Sequence, residues 1–170
     1  CGLKKTLEQV FPENSKEILS VAQYMLTEGN VMYYYRDWLE ETVSFSEKDM
    51  GGADISRLFA SIDEDSRLHF FHTWISQKYK GEYLAYDVTS ISSYGKGMES
   101  LEWGYNRDKE KLQQINFGMY YGEDSKLPLY YRIYPGSITD KAHLKYMMHD
   151  NKLLSCKKAK FVMDRGFYSK

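Results

Sequence analysis

The sequence predicts an α/β protein, in which a helical segment over residues 1–80 precedes a mixed sheet over residues 81–170. Before Gly81, apolar side chains recur at helical spacing, as they do from Ile18 to Met25. After Gly81, stretches rich in β-forming residues follow one another, each bounded by glycine or proline. A helical stretch and a last apolar run then complete the order β-β-β-α-β.

Composition sets the broad class of the protein. Hydrophobic residues make up 42% of the 170 residues and charged residues 28%, which is typical of a globular chain. The formal net charge of −1 identifies no partner by itself, but basic residues exceed acidic ones only in residues 81–170. The two cysteines, Cys1 and Cys156, have no zinc-site spacing. No apolar run approaches the roughly 20 residues of a membrane helix.

Three helices are expected in the first segment. Asn14 and Glu17 form a capping-box pattern at the start of the first, since Glu17 lies three residues after a good N-cap residue. A shorter helix fits residues 53–62. A third begins near Glu64 and ends before Gly81.

The second segment has five expected elements. Strands are predicted at residues 82–92, 114–122 and 127–136, a helix at 137–154 and a strand at 158–164. Ser137 and Asp140 have capping-box spacing at the start of that helix, so capping is the expected role of Asp140.

The element order predicts where two aspartates meet. Three strands joined by short turns form an antiparallel meander, and a crossover helix returns the last strand parallel to an earlier one. If that earlier strand is the first, Asp87 and Asp164 lie on neighbouring strands, about 4.8 Å apart. Asp164 also lies at the carboxyl edge, where open α/β sheets bind ligands.

Two adjacent carboxylates repel each other unless a shared proton or a cation offsets their charge. Oxygen ligands suit Mg²⁺ or Mn²⁺, and paired ions of this kind catalyse phosphoryl transfer. Structural roles stay open for both residues. Asp87 could bond to Thr89 or to backbone in an Asx-turn, and Asp164 could cap a following helix.

Four stretches resemble the DDE transposases of bacterial insertion sequences, specifically the group with a ribonuclease-H-like core and a Tyr-Arg-Glu-Lys signature. They are YLAYDVTSISSYG, GYNRDKEKLQQINFGMYYG, PLYYRIYPGSITD and KFVMDRGFYS, in that order from Tyr83 to Lys170. The resemblance implies that Asp87 and Asp164 are the first and second catalytic aspartates. It implies two Mg²⁺ or Mn²⁺ ions, DNA element ends and target DNA as partners, a homodimer, and the bacterial cytoplasm.

The family's third acid is a glutamate on a later helix, and the chain stops at Lys170 before reaching it. The resemblance therefore implies a transposase fragment, truncated before that residue, whose parent cleaves and transfers DNA strands. The alternative is an inactive remnant that binds only DNA or partner subunits. A Tyr, an Arg three places on and a Glu four places further, read beyond Lys170, would distinguish the two.

Several side chains are candidate DNA contacts. The basic ones are Arg107, Lys109, Lys111 and Arg165, for which a solvated charged face is the alternative. Trp103 and Tyr105 could stack on a base, but packing within a half-buried hairpin is the favoured interpretation.

Other enzyme classes fit the sequence less well. A phosphatase of the haloacid dehalogenase type needs a second aspartate two residues after the first, where this chain has Thr89. A glycosidase also uses two carboxylates, but its pair should bind Mg²⁺ no better than any acidic surface.

Overall fold

The computed structural model describes residues 2–95, 97–105, 111–153 and 159–167. The chain is α/β, with helices first and a four-stranded mixed sheet after them, so the predicted fold class is confirmed. The helices are α1 Leu3–Val10, α2 Ser15–Thr27, α3 Tyr35–Glu41, α4 Gly52–Ala60, α5 Glu64–Lys78 and α6 Asp140–Leu153. The strands are β1 Tyr83–Ser93, β2 Gln113–Gly122, β3 Pro128–Pro135 and β4 Lys160–Met163.

Two compact units divide the chain, Cys1–Trp74 and Ile75–Lys170. The division falls inside α5, and the domain limits drawn at Gly81 stay a prediction. Gly81 itself has a φ of 83°, a left-handed conformation that favours glycine and suits the end of a helix.

The first unit has a core of aromatic and aliphatic side chains. Tyr24 lies edge-on to Tyr35 and Trp38, with ring centroids 5.5 and 5.4 Å away. Its hydroxyl donates to the Val31 carbonyl at 2.6 Å, and the Tyr35 hydroxyl donates to Ser20 at 2.8 Å. Each buried phenol therefore has the hydrogen-bond partner that burial requires.

One expected cap is absent. Helix α2 begins after Asn14 as predicted, but the Asn14 side chain makes no capping hydrogen bond. Asn14 has φ −120° and ψ 4°, outside the β-region geometry of a typical N-cap residue. The proposed capping box with Glu17 is therefore wrong in its hydrogen bonding, although the helix start is right.

The second unit is built on a sheet with strand order β3-β2-β1-β4. Strand β2 pairs antiparallel with both β1 and β3, while β4 pairs parallel with β1. Helix α6 supplies the crossover from β3 to β4. The predicted meander and the predicted parallel partner of the last strand are both confirmed.

Helix α6 covers one face of this sheet. His143 stacks on the Tyr134 ring at a centroid distance of 3.5 Å, and Asp150 accepts hydrogen bonds from Tyr130 and Arg132. Met147 is fully buried on the same helix. These contacts attach α6 to β3 along its length.

The start of α6 corrects the expected capping. The Ile138 N–H donates to the Pro135 carbonyl, so a turn occupies residues 135–138 and the helix cannot begin at Ser137. Thr139 is the cap instead, since its hydroxyl accepts from the Ala142 N–H at 3.4 Å. The Asp140 carboxylate accepts from the Tyr134 hydroxyl at 2.9 Å and does not close a capping box with Ser137.

The helices within the described ranges include none with the length and apolar character needed to cross a bilayer.

Candidate catalytic acid pair and adjoining cleft

The pairing of β1 with β4 brings two distant aspartates to neighbouring positions. The parallel register runs from Tyr83 opposite Lys160 to Tyr86 opposite Met163. Continuing it by one residue sets Asp87 beside Asp164. Adjacent strands lie about 4.8 Å apart, so the two backbones are close enough for one ion to contact both carboxylates.

Both aspartates belong to the open face of the sheet. Side chains alternate along a strand, and Tyr86 and Phe161 turn to the opposite face, where each lies against Tyr120. Asp87 and Asp164 are themselves exposed to solvent. The pair is therefore accessible to an ion and to a large substrate.

Both aspartates take part in local hydrogen bonds, Asp87 through its carboxylate and Asp164 through its backbone carbonyl. Asp87 Oδ1 accepts from the Val88 N–H at 2.8 Å, a bond to the next residue and not the contact with Thr89 or the Asx-turn that the sequence left open. An ionised carboxylate offers about four lone-pair sites, and this bond leaves the other oxygen available. Asp164 uses its backbone carbonyl, which accepts from the Phe167 N–H at 3.1 Å at the start of a short 3₁₀ turn, Arg165–Phe167.

The donor set near this pair is limited to oxygen. Within the described parts of the chain, no group of three or more His, Cys, Asp or Glu side chains could hold a metal ion. Two carboxylates fit a hard cation such as Mg²⁺ or Mn²⁺, which retains several waters in protein sites. They do not fit zinc, which prefers nitrogen and sulfur ligands.

The candidate DNA-binding residues lie at different distances from the acid pair. Arg165 is exposed and directly follows Asp164, so it lies at the acid pair. Lys111 is exposed ahead of β2, whose first residue pairs with Ser93, six positions beyond Asp87. At ~3.4 Å per residue, Lys111 lies roughly 20 Å from the pair. Arg107 and Lys109 lie outside the described residues.

A cleft of about 410 Å³ opens beside β1, immediately after Asp87. It is lined by residues 88–90 of β1, Tyr105, Asn116 and the loop 136–140. Asp140 is the one ionisable acid on this lining, and no Lys or Arg side chain lines it among the described residues. The described part of the cleft lining is therefore polar and includes one carboxylate.

Two buried amides shape the cleft. Asn116 Nδ2 donates to the Ile138 carbonyl at 3.1 Å, while its Oδ1 accepts from the Ser90 hydroxyl at 3.0 Å. Gln114 Nε2 donates to the Tyr105 carbonyl at 3.0 Å. A Cβ on Gly136 would lie 2.4 Å from the Gln114 carbonyl oxygen, so only glycine fits where the loop meets β2.

Several titratable groups lie buried near the start of α6. Burial raises the pKa of Tyr86, with smaller effects from Asp140 and Asp87. Burial also raises the pKa of Tyr134, whose hydroxyl bonds to Asp140. The pKa of His143 falls to about 4, because burial and nearby Arg132 disfavour the imidazolium against the opposing effect of Asp150.

The prediction that Trp103 and Tyr105 pack within a half-buried hairpin is wrong. Their exposed fractions are 64% and 86%. The isolated bridge between Glu102 and Gln114 holds this segment to the edge of β2 through backbone contacts, which leave both rings in solvent. Nothing in the sequence around Trp103 and Tyr105 distinguishes exposed rings from rings that pack within a hairpin.

The order β-β-β-α-β, the mixed sheet and the adjacent aspartates are consistent with part of a ribonuclease-H-like fold. The family model of the transposase DDE domain matches residues 78–170, which is more than half of the chain. The chain belongs to this family, which generally uses divalent metal ions and acts on DNA. No curated protein and no solved structure matches the chain.

Proposed function

We propose that this chain is part of a transposase that cleaves and transfers the DNA strands of a bacterial insertion sequence, and that Asp87 and Asp164 bind its catalytic ions. One observation carries the proposal. In a chain of the transposase DDE family, the β1–β4 register ends one residue before each of these aspartates. The ligands of one ion must lie close together, and this pairing supports such an arrangement of the two aspartates.

The charges at the site support a cationic occupant. Two carboxylates on neighbouring strands repel each other, and their exposure leaves both able to bind an ion from solvent. Bound Mg²⁺ or Mn²⁺ ions would supply activation of the attacking oxygen and stabilisation of the leaving oxygen. The role of Asp87 and Asp164 is to hold these ions, and neither acts as the nucleophile.

Neighbouring residues orient this pair and the substrate. The Val88 N–H fixes one oxygen of Asp87, which limits rotation of the carboxylate. Arg165 follows Asp164 and offers a guanidinium to a DNA phosphate at the reacting position. Lys111 is too far away for the same phosphate, and we assign it to backbone contacts further along the DNA.

Two aspartates alone hold metal ions poorly, so the complete site needs a further acid, and the family resemblance implies a glutamate in that role. The competing function is a remnant that binds DNA or partner subunits without cutting. A stop codon ahead of the Tyr, Arg and Glu positions would favour the remnant.

The decisive experiment measures metal-dependent DNA strand cleavage by the protein together with any residues that its gene encodes after Lys170. We expect Asp87→Ala and Asp164→Ala each to lower the cleavage rate by at least about a thousandfold, because each removes an ion ligand. Binding of the same DNA should stay within a few-fold of that of the parent protein.

Asp124→Ala is the matched control, since Asp124 is an exposed aspartate in the β2–β3 turn at the opposite edge of the sheet. It should cleave at the parental rate. Cleavage by either acid-pair variant at that same rate would refute the assignment of the site.

A further inference from the structure

We propose that the cleft beside β1 binds one nucleobase of a DNA strand, and that it prefers a base carrying an exocyclic amino group. This inference rests on the proposed function and names a substrate contact near its site. The evidence comes from the cleft's chemistry, its exposed aromatic rim and its place along β1.

The chemistry of the lining suits a base better than a phosphate. A phosphate needs cations or clustered N–H donors, and no Lys or Arg side chain lines the cleft among the described residues. The Asp140 carboxylate would repel an anion, but it can accept a hydrogen bond from an amino group such as that of cytosine. The volume of about 410 Å³ lies within the range of small-molecule sites.

Tyr105 gives the cleft a flat aromatic surface. Its ring is 86% exposed, while its carbonyl is held by Gln114 Nε2 at 3.0 Å. The backbone is thus positioned without any packing of the ring. An exposed ring on a fixed backbone is suited to stacking, and every base has a face on which an aromatic ring can stack.

The other polar groups show which contacts remain for a ligand. Asn116 is committed to the Ser90 hydroxyl and to the loop carbonyls. The Thr139 hydroxyl, which accepts from Ala142, can still donate, and Asp140 has a second carboxylate oxygen beyond the one that Tyr134 uses. Thr139 and Asp140 are therefore the side chains assigned to the edge of the base.

The cleft is within reach of a strand bound at the acid pair. Thr89 and Ser90 follow Asp87 on the same strand, about 7–10 Å away at ~3.3 Å per residue. Ser90 and Asn116 lie on the face of the sheet that α6 covers, whereas Asp87 lies on the opposite face. Strand β4 pairs with β1 only as far as Tyr86, so a DNA strand can pass from the acid pair to the cleft around the unpaired edge of β1. A nucleotide next to the reacting phosphate can place its base there.

The test measures affinities of the 170-residue chain for three single strands of equal length, at neutral pH and with chelator present. The probes are oligodeoxycytidine, oligodeoxythymidine and an abasic strand with the same phosphates. We expect oligodeoxycytidine to bind at least about fivefold more tightly than the abasic strand, as loss of one stacked base predicts. Oligodeoxythymidine should fall between them.

Tyr105→Ala should remove most of the difference in affinity between the cytidine strand and the abasic strand. Tyr94→Ala is the matched control, because Tyr94 is 87% exposed and does not line the cleft. Asp140→Asn, which retains an acceptor for Tyr134, should reduce the preference for cytidine over thymidine.

Equal affinity for the cytidine and abasic strands would overturn the proposal, as would equal losses in the two tyrosine variants. Free deoxycytidine that binds as tightly as the strand would overturn the assignment to strand DNA. Chelator makes this test independent of the metal site. Failure of base recognition is therefore distinguishable from failure of the proposed catalysis, which the cleavage assay reports separately.

Discussion

At the scale of single residues, Asp87 combines a structural contact with a proposed catalytic one. The sequence left open whether this carboxylate bonds to backbone or binds a metal ion. The hydrogen bond from Val88 to Oδ1 is a backbone contact, although to the next residue and not in an Asx-turn. It also reduces the orientations open to the carboxylate, which lowers the entropic cost of presenting Oδ2 to an ion. The two roles are therefore compatible.

His143 gives the residue-scale prediction. In the folded protein its pKa is about 4, against an ordinary value of about 6.5, because burial disfavours the charged form. The unfolded chain therefore binds more protons than the folded chain between these values. We expect the free energy of unfolding, measured with urea, to fall by on the order of 2 kcal/mol as pH drops from about 6.5 to 4.

His143→Phe keeps an aromatic ring against Tyr134 but cannot be protonated. Its free energy of unfolding should depend less on pH over the same interval. An unchanged pH dependence in this variant would show that His143 does not cause the loss of stability in acid.

At the scale of elements, local patterns predicted the strands well and the side-chain contacts less well. Glycine and proline mark the ends of β2 and β3, and alternation identifies β1, so the predicted bounds agree within two residues. The predicted cap of α6 moved from Ser137 to Thr139, because the turn at 135–138 uses the intervening backbone. Such competition depends on tertiary contacts that sequence spacing does not contain.

The candidate site could likewise be predicted from the sequence only in part. The adjacency of the two acid-bearing strands could be predicted, since a crossover helix requires a parallel return. The cleft could not be predicted, because it depends on Asn116 and Gln114 reaching across to the 136–140 loop and to Tyr105. The exposure of Trp103 and Tyr105, 64% and 86%, likewise could not be predicted, because it depends on tertiary contacts that the sequence pattern does not contain.

The attachment of α6 to β3 gives the element-scale prediction. Asp150 is buried and accepts from the Tyr130 hydroxyl at 2.9 Å and from Arg132 at 2.5 Å. Asp150→Asn removes the charge that pairs with Arg132. We expect the free energy of unfolding to fall by about 1–2 kcal/mol in chemical denaturation, because the amide makes weaker hydrogen bonds than the buried carboxylate while the partly exposed Arg132 guanidinium stays solvated.

Asp65→Asn is the control for this substitution, because Asp65 is an exposed aspartate on helix α5. It should change stability by less than about 0.5 kcal/mol. If the Asp150 and Asp65 variants had similar free energies of unfolding, the pairing of Asp150 with Arg132 would contribute little to the stability of the folded chain.

At the scale of the whole molecule, the candidate catalytic residues and the mixed sheet both belong to the second unit. The match to the transposase DDE domain covers residues 78–170, and this region contains both aspartates, the cleft and the exposed Arg165. The helical unit before it has its own aromatic core. A family assignment gives the class of reaction, while the strand order gives a physical reason why two aspartates far apart in sequence lie on or directly after neighbouring strands.

The most direct test of the account is a Mn²⁺ titration of the same protein that is used in the cleavage assay, with free Mn²⁺ followed by electron paramagnetic resonance. Asp87→Asn and Asp164→Asn should each weaken the same binding event by at least about tenfold, because both carboxylates are ligands of one site. Asp124→Asn, at the opposite edge of the sheet, should leave it unchanged. Mn²⁺ binding that is unaffected by replacing either Asp87 or Asp164 would contradict the shared metal site.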